Sequence, residues 1–378
     1  MNQEAYCEVG AVNILEEVLP RIAPRNILLV TGKKSYTSSG AEAILTKLLQ
    51  PYQFYRFCEF EQNPKIADVE RGLTLFQQQQ FDAVIAVGGG SVLDVAKLIN
   101  IFAAQNASPL DIVKHRETIQ HHGVPLIAIP TTAGSGSEAT HFAVVYIDKA
   151  KYSVAHKNIL PDIAIVDPSL THSMPARITA VTGMDALSQA IEAFWSVNST
   201  EQSKAYAREA MRLVIDNLED AVQAPSNESR YAMGKASHLA GRAINLSKTT
   251  APHAMSYAMT SYFGVPHGHA VSLTLGEWLV YNSQVSDEDV VDARGASYVR
   301  STINELNELL GGYNAAALRD KMSNLMRRIG LETRLEELGI TSEADYNLIV
   351  GSVNLERLAN NPRRVTGAFI GELLRRIA

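Results

Sequence analysis

The chain contains little cysteine, no long basic segment and no long apolar segment, and each absence excludes a class of protein. Only Cys7 and Cys58 occur among its 378 residues, too few for a disulfide framework or a cysteine-based zinc site. The 34 basic residues are outnumbered by 40 acidic ones, and the net charge of −6 argues against nucleic acid as a main partner. No apolar run approaches the roughly 18 residues that a membrane span requires, so we expect no membrane partner.

The composition is otherwise that of an ordinary globular protein, with 46% hydrophobic and 20% charged residues. Residues 1–8 lack the basic and apolar segments of a signal peptide, and we therefore expect a cytoplasmic enzyme. A length of 378 residues suits two domains, or one large α/β domain with an appended helical bundle.

The first part of the chain alternates short apolar runs with helical segments, for example a predicted helix at 91–104. Strands are predicted at 26–32, 82–88, 124–129 and 163–166, and a hairpin at 142–148 and 152–155 across residues 149–151. Continuous apolar strands that alternate with helices indicate a parallel sheet covered on both faces. This pattern predicts an α/β domain.

After Pro175 the strand signals vanish and helical periodicity takes over. The predicted helices span 184–195, 201–222, 228–246, 269–282 and 298–309. We place the domain boundary near residue 170, with the α/β domain at 1–170 and an all-helical domain at 171–378.

A glycine-rich segment, Gly88-Gly89-Gly90-Ser91, follows a predicted strand and opens a predicted helix. Glycines let backbone N–H groups approach a phosphate closely, and a helix N-terminus adds positive potential. The segment matches neither the G-x-G-x-x-G fingerprint nor the Walker A loop. Taken alone, it fits a tight strand-to-helix turn with Ser91 as the N-cap equally well.

A second segment, residues 130–138, also follows a strand and is dense in hydroxyl and small side chains. Two such loops at the carboxyl ends of neighbouring parallel strands are where an open α/β sheet binds a nucleotide. We therefore expect the first loop to hold the pyrophosphate of a dinucleotide and the second to approach its nicotinamide and ribose.

Two histidines in the second half, His253 and His267, form a candidate metal site. On one unbroken helix they would lie about 21 Å apart, too far to share an ion. The segment 263–266, Phe-Gly-Val-Pro, stops the helix and lets the chain reverse. Asp185 and Gln189, spaced i,i+4 on another helix, can add oxygen ligands from the side.

Several motifs in a fixed order along nearly the whole chain carry a resemblance to a known family. They are Asn63-Pro64, Gly88-Gly89-Gly90-Ser91 with Asp94 and Lys97, residues 130–138, Val166-Asp167-Pro168, residues 183–187 and Pro266-His267-Gly268. With these motifs the chain resembles the iron-containing (group III) alcohol dehydrogenases, which are related to glycerol dehydrogenase and dehydroquinate synthase. The resemblance implies an N-terminal dinucleotide-binding α/β domain, a helical metal-binding and substrate domain, and a metal in the cleft between them.

The resemblance also implies the activity, a reversible hydride transfer between a small aldehyde and its primary alcohol in a homodimer. Its cofactors would be NAD(P)(H) and a divalent metal, Fe²⁺ or Zn²⁺, with Asp185, Gln189, His253 and His267 at the metal. The cofactor-binding residues would be Gly32, Asn63, Gly88, Gly89, Gly90, Ser91, Asp94, Thr131, Thr132, Ser135 and Lys151. The proton leaves through water, a ribose hydroxyl or Tyr257, which joins Asp185, His253 and His267 as a candidate catalytic residue.

Two positions depart from the family pattern. Members usually carry His where this chain has Gln189, and often a further His where it has Tyr257. The resulting ligand set is harder, but glycerol dehydrogenase-like relatives function with one Asp and two His. Within the family, residues 188–203 and 249–257 resemble the phosphonoacetaldehyde reductase branch, whose product is 2-hydroxyethylphosphonate.

NAD-specific members often place an Asp at the position of Gly32, where it would repel a 2′-phosphate. Here Lys33 and Lys34 follow and no acid is present, so NADP(H) is permitted, although simple surface lysines explain them too. Two other functions stay open. A metal-dependent lyase or cyclase of the dehydroquinate synthase kind is disfavoured because only Lys248 adjoins residues 249–269, and a non-catalytic nucleotide-binding relative is suggested only by Gln189.

Overall fold

The structure is a computed structural model that describes residues 3–353 and 358–378. The chain divides into two compact units, Met1–Met174 and Pro175–Ala378. From the sequence we had placed this division near residue 170.

The first unit contains eight strands within the described residues, and six of them form one parallel sheet in the order β1-β8-β5-β4-β2-β3. The strands are β1 (Glu4–Cys7), β2 (Asn26–Thr31), β3 (Gln53–Phe57), β4 (Ala83–Gly88), β5 (Leu126–Pro130), β6 (Phe142–Ile147), β7 (Ala150–Ala155) and β8 (Ile163–Val166). The predicted parallel sheet is therefore confirmed.

Helices cover both faces of this sheet, and so successive residues of one strand enter different cores. Leu28 and Val30 of β2 belong to one hydrophobic cluster, whereas Ile27 and Leu29 belong to the other. This double burial is why the central strands read as continuous apolar runs. The helices of this unit are α1 (Leu15–Ile22), α2 (Ser35–Ser38), α3 (Ala41–Leu48), α4 (Ile66–Gln79), α5 (Gly90–Ala103) and α6 (Pro109–Val113).

The hairpin of β6 and β7 is present, but its turn differs from the predicted one. Ile147 pairs with Ala150 across Asp148, which has a φ of 55°. The turn predicted at residues 149–151 was therefore wrong, and Lys151 lies within β7 opposite Tyr146. Asp adopts this left-handed conformation more readily than most other residues do, which explains why the turn begins at Asp148, one residue before the predicted position.

Among its described residues, the second unit consists of helices and the loops between them, apart from one isolated bridge between Val290 and Arg363. Its helices are α7 (Ala176–Trp195), α8 (Glu201–Gln223), α9 (Asn227–Ser247), α10 (Ala251–Phe263), α11 (His267–Ser283), α12 (Ala296–Leu309), α13 (Ala315–Arg328), α14 (Glu343–Gly351) and α15 (Gly367–Arg376). Within the described residues, no helix has the length and apolar character needed to cross a membrane.

Candidate metal centre and nucleotide loops

The chain reverses between the two histidines as the sequence predicted. Gly264 ends α10 with a φ of 71°, a left-handed conformation that suits glycine, and Pro266 precedes the first residue of α11. The ring centroids of His253 and His267 consequently lie 5.3 Å apart. Two side chains separated by a turn and a helix stop therefore face one another.

Asp185 of α7 joins these two histidines. One ligand atom from each of the three residues lies within 4.8 Å of the others, and Nε2 of His253 is 3.5 Å from Oδ1 of Asp185. Bonds of about 2.1 Å to a tetrahedral ion place ligand atoms about 3.4 Å apart, so a modest inward shift suffices for all three to bind one ion. Asp185 and His253 are buried, and His267 is half-buried.

The charge of this cluster also fits a divalent cation. Oδ1 of Asp185 is buried, and no donor among the described residues meets it with hydrogen-bond geometry. Burial disfavours the charged form of His253, but the carboxylates of Glu192 and Asp185 outweigh it and raise the pKa of this imidazole to about 10. The two buried carboxylates thus favour a positive charge at this position, which the protonated imidazole supplies by itself and which a bound metal ion can supply in its place.

Glu192, which the sequence analysis missed, is the second carboxylate. Its side chain is fully buried on α7 and is hydrogen-bonded to Nδ1 of His253. The only signal in the sequence was its position two turns after Asp185, on the same face of the helix. That spacing places Glu192 on the Asp185 face but does not tell which other helix it meets.

Ser256 holds the second imidazole. Its hydroxyl donates to the carbonyl oxygen of His253 at 2.8 Å and lies 3.2 Å from Nδ1 of His267. Because a serine hydroxyl has one proton, it must accept a hydrogen bond from Nδ1–H of His267 when it donates to that carbonyl. An ion bound by His267 would therefore be held through Nε2.

The remaining predicted residues of this site lie on the same helices. Gln189 is buried one turn after Asp185, and Tyr257 is half-buried one turn after His253, with its ring centroid 6.3 Å from that of His267. His269 is fully buried, and its Nε2 lies 2.8 Å from the carbonyl oxygen of Glu332.

In the first unit, the two expected nucleotide loops lie side by side. Gly88, the last residue of β4, pairs with Pro130, the last residue of β5. A methyl group on Gly89 would lie 3.3 Å from the side chain of Thr132, and one on Gly90 would lie 2.8 Å from Oγ of Ser135. The glycines therefore let the second loop pack directly on the first.

The start of α5 differs from the simple turn that we considered. The helix begins at Gly90, with Gly89 as its N-cap and no capping side chain, so the role of N-cap for Ser91 was wrong. The hydroxyl of Ser91 instead accepts the N–H of Asn63 at 3.3 Å, and Asn63 has a φ of 59°. Ser91 thus connects the segment before α4 to the glycine-rich loop.

Asp94 and Lys97, which both lie on α5, form hydrogen bonds to the second loop and to the residues that follow it. Asp94 accepts the hydroxyl of Ser137 at 2.7 Å and the N–H of Val144 at 3.1 Å, and burial raises the pKa of its carboxyl group. The ammonium of Lys97 donates to the carbonyl oxygens of Thr140 at 2.9 Å and of Phe142 at 3.0 Å, and to Ser137. Both oxygens of Asp94 are therefore engaged by the protein's own backbone and side chains. The backbone N–H of Thr131 donates to the carbonyl oxygen of Gly88, and the residue is buried.

Basic groups surround the end of β2. Arg56 of β3 donates from Nε to Oγ1 of Thr31 at 2.8 Å and from Nη2 to the carbonyl oxygen of Gly32 at 3.2 Å. Lys33 forms an exposed ion pair with Glu61 at 3.0 Å. Arg56 could not be identified from the sequence, because only the pairing of β3 with β2 brings it to this position.

Comparisons with known proteins identify the family to which this architecture belongs. Residues 2–168 match the family model "Iron-containing alcohol dehydrogenase", and residues 179–378 match "Fe-containing alcohol dehydrogenase family, C-terminal". The chain is 31% identical to long-chain-alcohol dehydrogenase 1 of Geobacillus thermodenitrificans, over 92% of this chain and 88% of the relative. It is 36% identical to phosphonoacetaldehyde reductase of Streptomyces viridochromogenes, over 78% of this chain and 75% of the relative.

The solved structures agree with the fold. The sulfoacetaldehyde reductase of Bifidobacterium kashiwanohense in complex with NAD⁺ superposes with a TM-score of 0.86 at 31% identity, and the match covers 100% of this chain and 99% of that one. This match confirms the expected fold class, an α/β domain followed by an all-helical domain. The chain belongs to the iron-containing alcohol dehydrogenase family and is an oxidoreductase.

Proposed function

We propose that this enzyme reduces a short aldehyde that carries an anionic group, with phosphonoacetaldehyde as substrate and 2-hydroxyethylphosphonate as product. Two relatives support this choice, since one is named a phosphonoacetaldehyde reductase and the other a sulfoacetaldehyde reductase. Both names describe a two-carbon aldehyde whose anionic group is attached to the carbon next to the aldehyde carbon. The wider activity, interconversion of an aldehyde and an alcohol, follows from the family.

The proposal that the reaction depends on a metal is supported by the convergence of Asp185, His253 and His267, whose ligand atoms lie within 4.8 Å of one another. We propose that these residues hold Fe²⁺ or Zn²⁺, with Gln189 as a weaker fourth partner. A bound ion would polarise the aldehyde carbonyl and stabilise the alkoxide. We propose that Tyr257 passes the proton to the product oxygen, alone or through water; its support is the position of its half-buried ring, whose centroid lies 6.3 Å from that of His267.

The first unit is the proposed site of the nicotinamide cofactor. Backbone N–H groups at the start of α5 suit a pyrophosphate, and Thr131, Thr132 and Ser135 of the second loop would orient the nicotinamide ring. Their support is the direct packing of the two loops at the ends of β4 and β5. The other proposed contacts of the cofactor are Gly32, Asn63, Gly88, Gly89, Gly90, Ser91 and Lys151, while Asp94 contributes by holding the second loop through Ser137 and Val144.

We further propose that the enzyme accepts NADPH as well as NADH. Gly32 offers no carboxylate at the end of β2, while Arg56 and Lys33 lie beside it. A 2′-phosphate would meet Arg56 and Lys33 there and would compete for them with the carboxylates of Glu42 and Glu61, with which they form ion pairs. We also propose that the protein is a cytoplasmic homodimer, with residues 1–170 as the cofactor domain and residues 171–378 as the metal-and-substrate domain; the division of the chain into two compact units supports the two domains.

A panel of short aldehydes tests the proposal. The purified protein, reconstituted with Fe²⁺ or Zn²⁺, is given phosphonoacetaldehyde, sulfoacetaldehyde, acetaldehyde and butyraldehyde with NADH and with NADPH. We expect the highest kcat/KM for an anionic aldehyde. If a neutral aldehyde has the highest kcat/KM, the proposed choice of substrate is wrong. If no aldehyde causes net consumption of NADH or NADPH, the result favours a metal-dependent lyase or cyclase. Elemental analysis of the protein separates both outcomes from a relative that binds no metal.

A further inference from the structure

The carboxylate of Glu192 contacts both the imidazole ring and the backbone N–H of His253. Oε1 of Glu192 accepts the N–H of His253 at 3.4 Å, and Oε2 is paired with Nδ1 of the same residue. The geometry points to Glu192 as the positioning residue that keeps Nδ1 of His253 protonated and turns Nε2 toward the metal. This inference rests on the proposed metal site and deepens it.

The same carboxylate serves as the cap of α10. Thr250 occupies the N-cap position, yet its side chain forms no capping hydrogen bond. Its hydroxyl donates to Oε1 of Glu192 at 3.0 Å and accepts from Nε1 of Trp195 at 2.8 Å, while its N–H also donates to Glu192 at 2.8 Å. The first N–H groups of a helix need acceptors, and a neighbouring helix supplies one here. The rotation of α10, and with it the direction of His253, is thereby fixed relative to α7.

The chemistry of the carboxylate decides which ring nitrogen carries the proton. An ionised carboxylate can only accept, so Nδ1 of His253 must donate to it. When an ion is bound, Nε2 is then the nitrogen with a free lone pair, and it lies 3.5 Å from Oδ1 of Asp185. Partners of this kind on metal-binding histidines change metal affinity by about 10- to 100-fold.

Substitution Glu192→Gln separates this role from simple packing, because the amide has the same shape. Its single oxygen would stay on the side that accepts three donors, from Thr250 and His253. The NH₂ group would then face Nδ1 of His253, which would have to accept, and the ring proton would move to Nε2. That nitrogen could no longer bind an ion without losing its proton.

The test uses the full-length protein loaded with Zn²⁺, with the affinity measured by competition against a chelator. We expect Glu192→Gln to bind Zn²⁺ about 10- to 100-fold more weakly than the parent. In parallel, ¹⁵N-histidine NMR should show His253 protonated at Nδ1 in the zinc-loaded parent and at Nε2 in metal-free Glu192→Gln. Affinity within twofold of the parent would overturn the inference. So would a loss of affinity in a variant whose Nδ1 stays protonated, since Glu192 would then supply charge alone.

A matched pair at Thr250 keeps the test decisive should Glu192→Gln fail to fold. Thr250→Ser retains the hydroxyl that donates to Glu192, whereas Thr250→Val removes it and keeps the shape. We expect Thr250→Ser to retain Zn²⁺ like the parent and Thr250→Val to release it several-fold more readily. Equal retention by the two variants would overturn the inference. A parent protein that binds neither Zn²⁺ nor Fe²⁺ would instead overturn the proposed function.

Discussion

Gly268 of α11 lies against the backbone of α7 beside Asp185, at a separation that leaves no room for a methyl group. A Cβ atom at Gly268 would lie 2.2 Å from the carbonyl oxygen of Val181 and 2.7 Å from Cβ of Asp185. Because Gly268 directly follows His267, this contact sets the distance between two of the three proposed metal-binding residues. A close helix crossing thus fixes the width of the metal site.

Substitution Gly268→Ala should therefore weaken both the fold and the metal site. The two helices have to separate to admit the methyl group, at a cost of about 1–3 kcal/mol, and Asp185 and His267 separate with them. Thermal unfolding and elemental analysis measure the two effects. Gly351→Ala, far along the chain in α14, is the control, since a Cβ atom there meets no atom within 4 Å and the residue has no positive φ. Undiminished metal content in Gly268→Ala would show that this contact does not set the site.

Substitution His267→Ala should abolish bound metal and activity while leaving the fold intact. The imidazole is half-buried at the start of α11, so its loss creates little cavity, but it removes one of three converging ligand groups. Metal content, activity and circular dichroism are the measurements. His172→Ala, at an exposed histidine, should change none of them. Full activity of His267→Ala without detectable metal would refute hydride transfer at a metal.

The sequence predicted those parts of the fold in which local pattern and tertiary environment agree. β2, β4 and β5 are central strands, and because both of their faces are buried they consist largely of apolar residues. β1 and β3 are the edges of the sheet, and their residues are mostly exposed or half-buried, so they carry polar side chains and no such pattern.

In the candidate site, too, the sequence predicted the features that depend on local pattern and not those that depend on tertiary packing. The helix stop between His253 and His267 is local, and it predicted that the two rings approach each other. Glu192 is different, because its role depends on the packing of α7 against the N-terminus of α10. No spacing along the chain encodes which helix a buried carboxylate will meet. Arg56 was missed for the same reason, since it depends on strand pairing.

Substitution Gly32→Asp should weaken NADPH binding far more than NADH binding, because a carboxylate there repels a 2′-phosphate. A Cβ atom at Gly32 would lie 2.1 Å from Oγ of Ser35, so the Ser35 hydroxyl must rotate in any variant. Gly32→Ala carries the same Cβ without charge and is the matched control. The ratio of KM values for the two cofactors is the measurement. Equal effects on both would show that Gly32 does not face the ribose.

Lys97 should make stability depend on pH above neutrality. Burial lowers the pKa of its ammonium to about 8, against the opposing carboxylates of Asp94 and Glu138, whereas the unfolded chain keeps its proton up to the ordinary value of 10.5. Between these values folding releases a proton, so rising pH favours the folded state. The stability of the parent relative to Lys97→Met should therefore increase from pH 8 to pH 10.5 in urea unfolding. A flat difference over this range would contradict the shift.

Substitution Gln189→His restores the residue that most family members carry, one turn after Asp185. Imidazole nitrogen is a stronger donor to Zn²⁺ or Fe²⁺ than an amide oxygen, so we expect tighter metal retention against a chelator. Activity should stay within about tenfold of the parent, a change of less than about 1.4 kcal/mol in the barrier. Gln189→Ala is the comparison that isolates the side chain. If Gln189→His retains metal no better than Gln189→Ala, this position does not face the ion, and Asp185, His253 and His267 form the site with an open position for water and substrate.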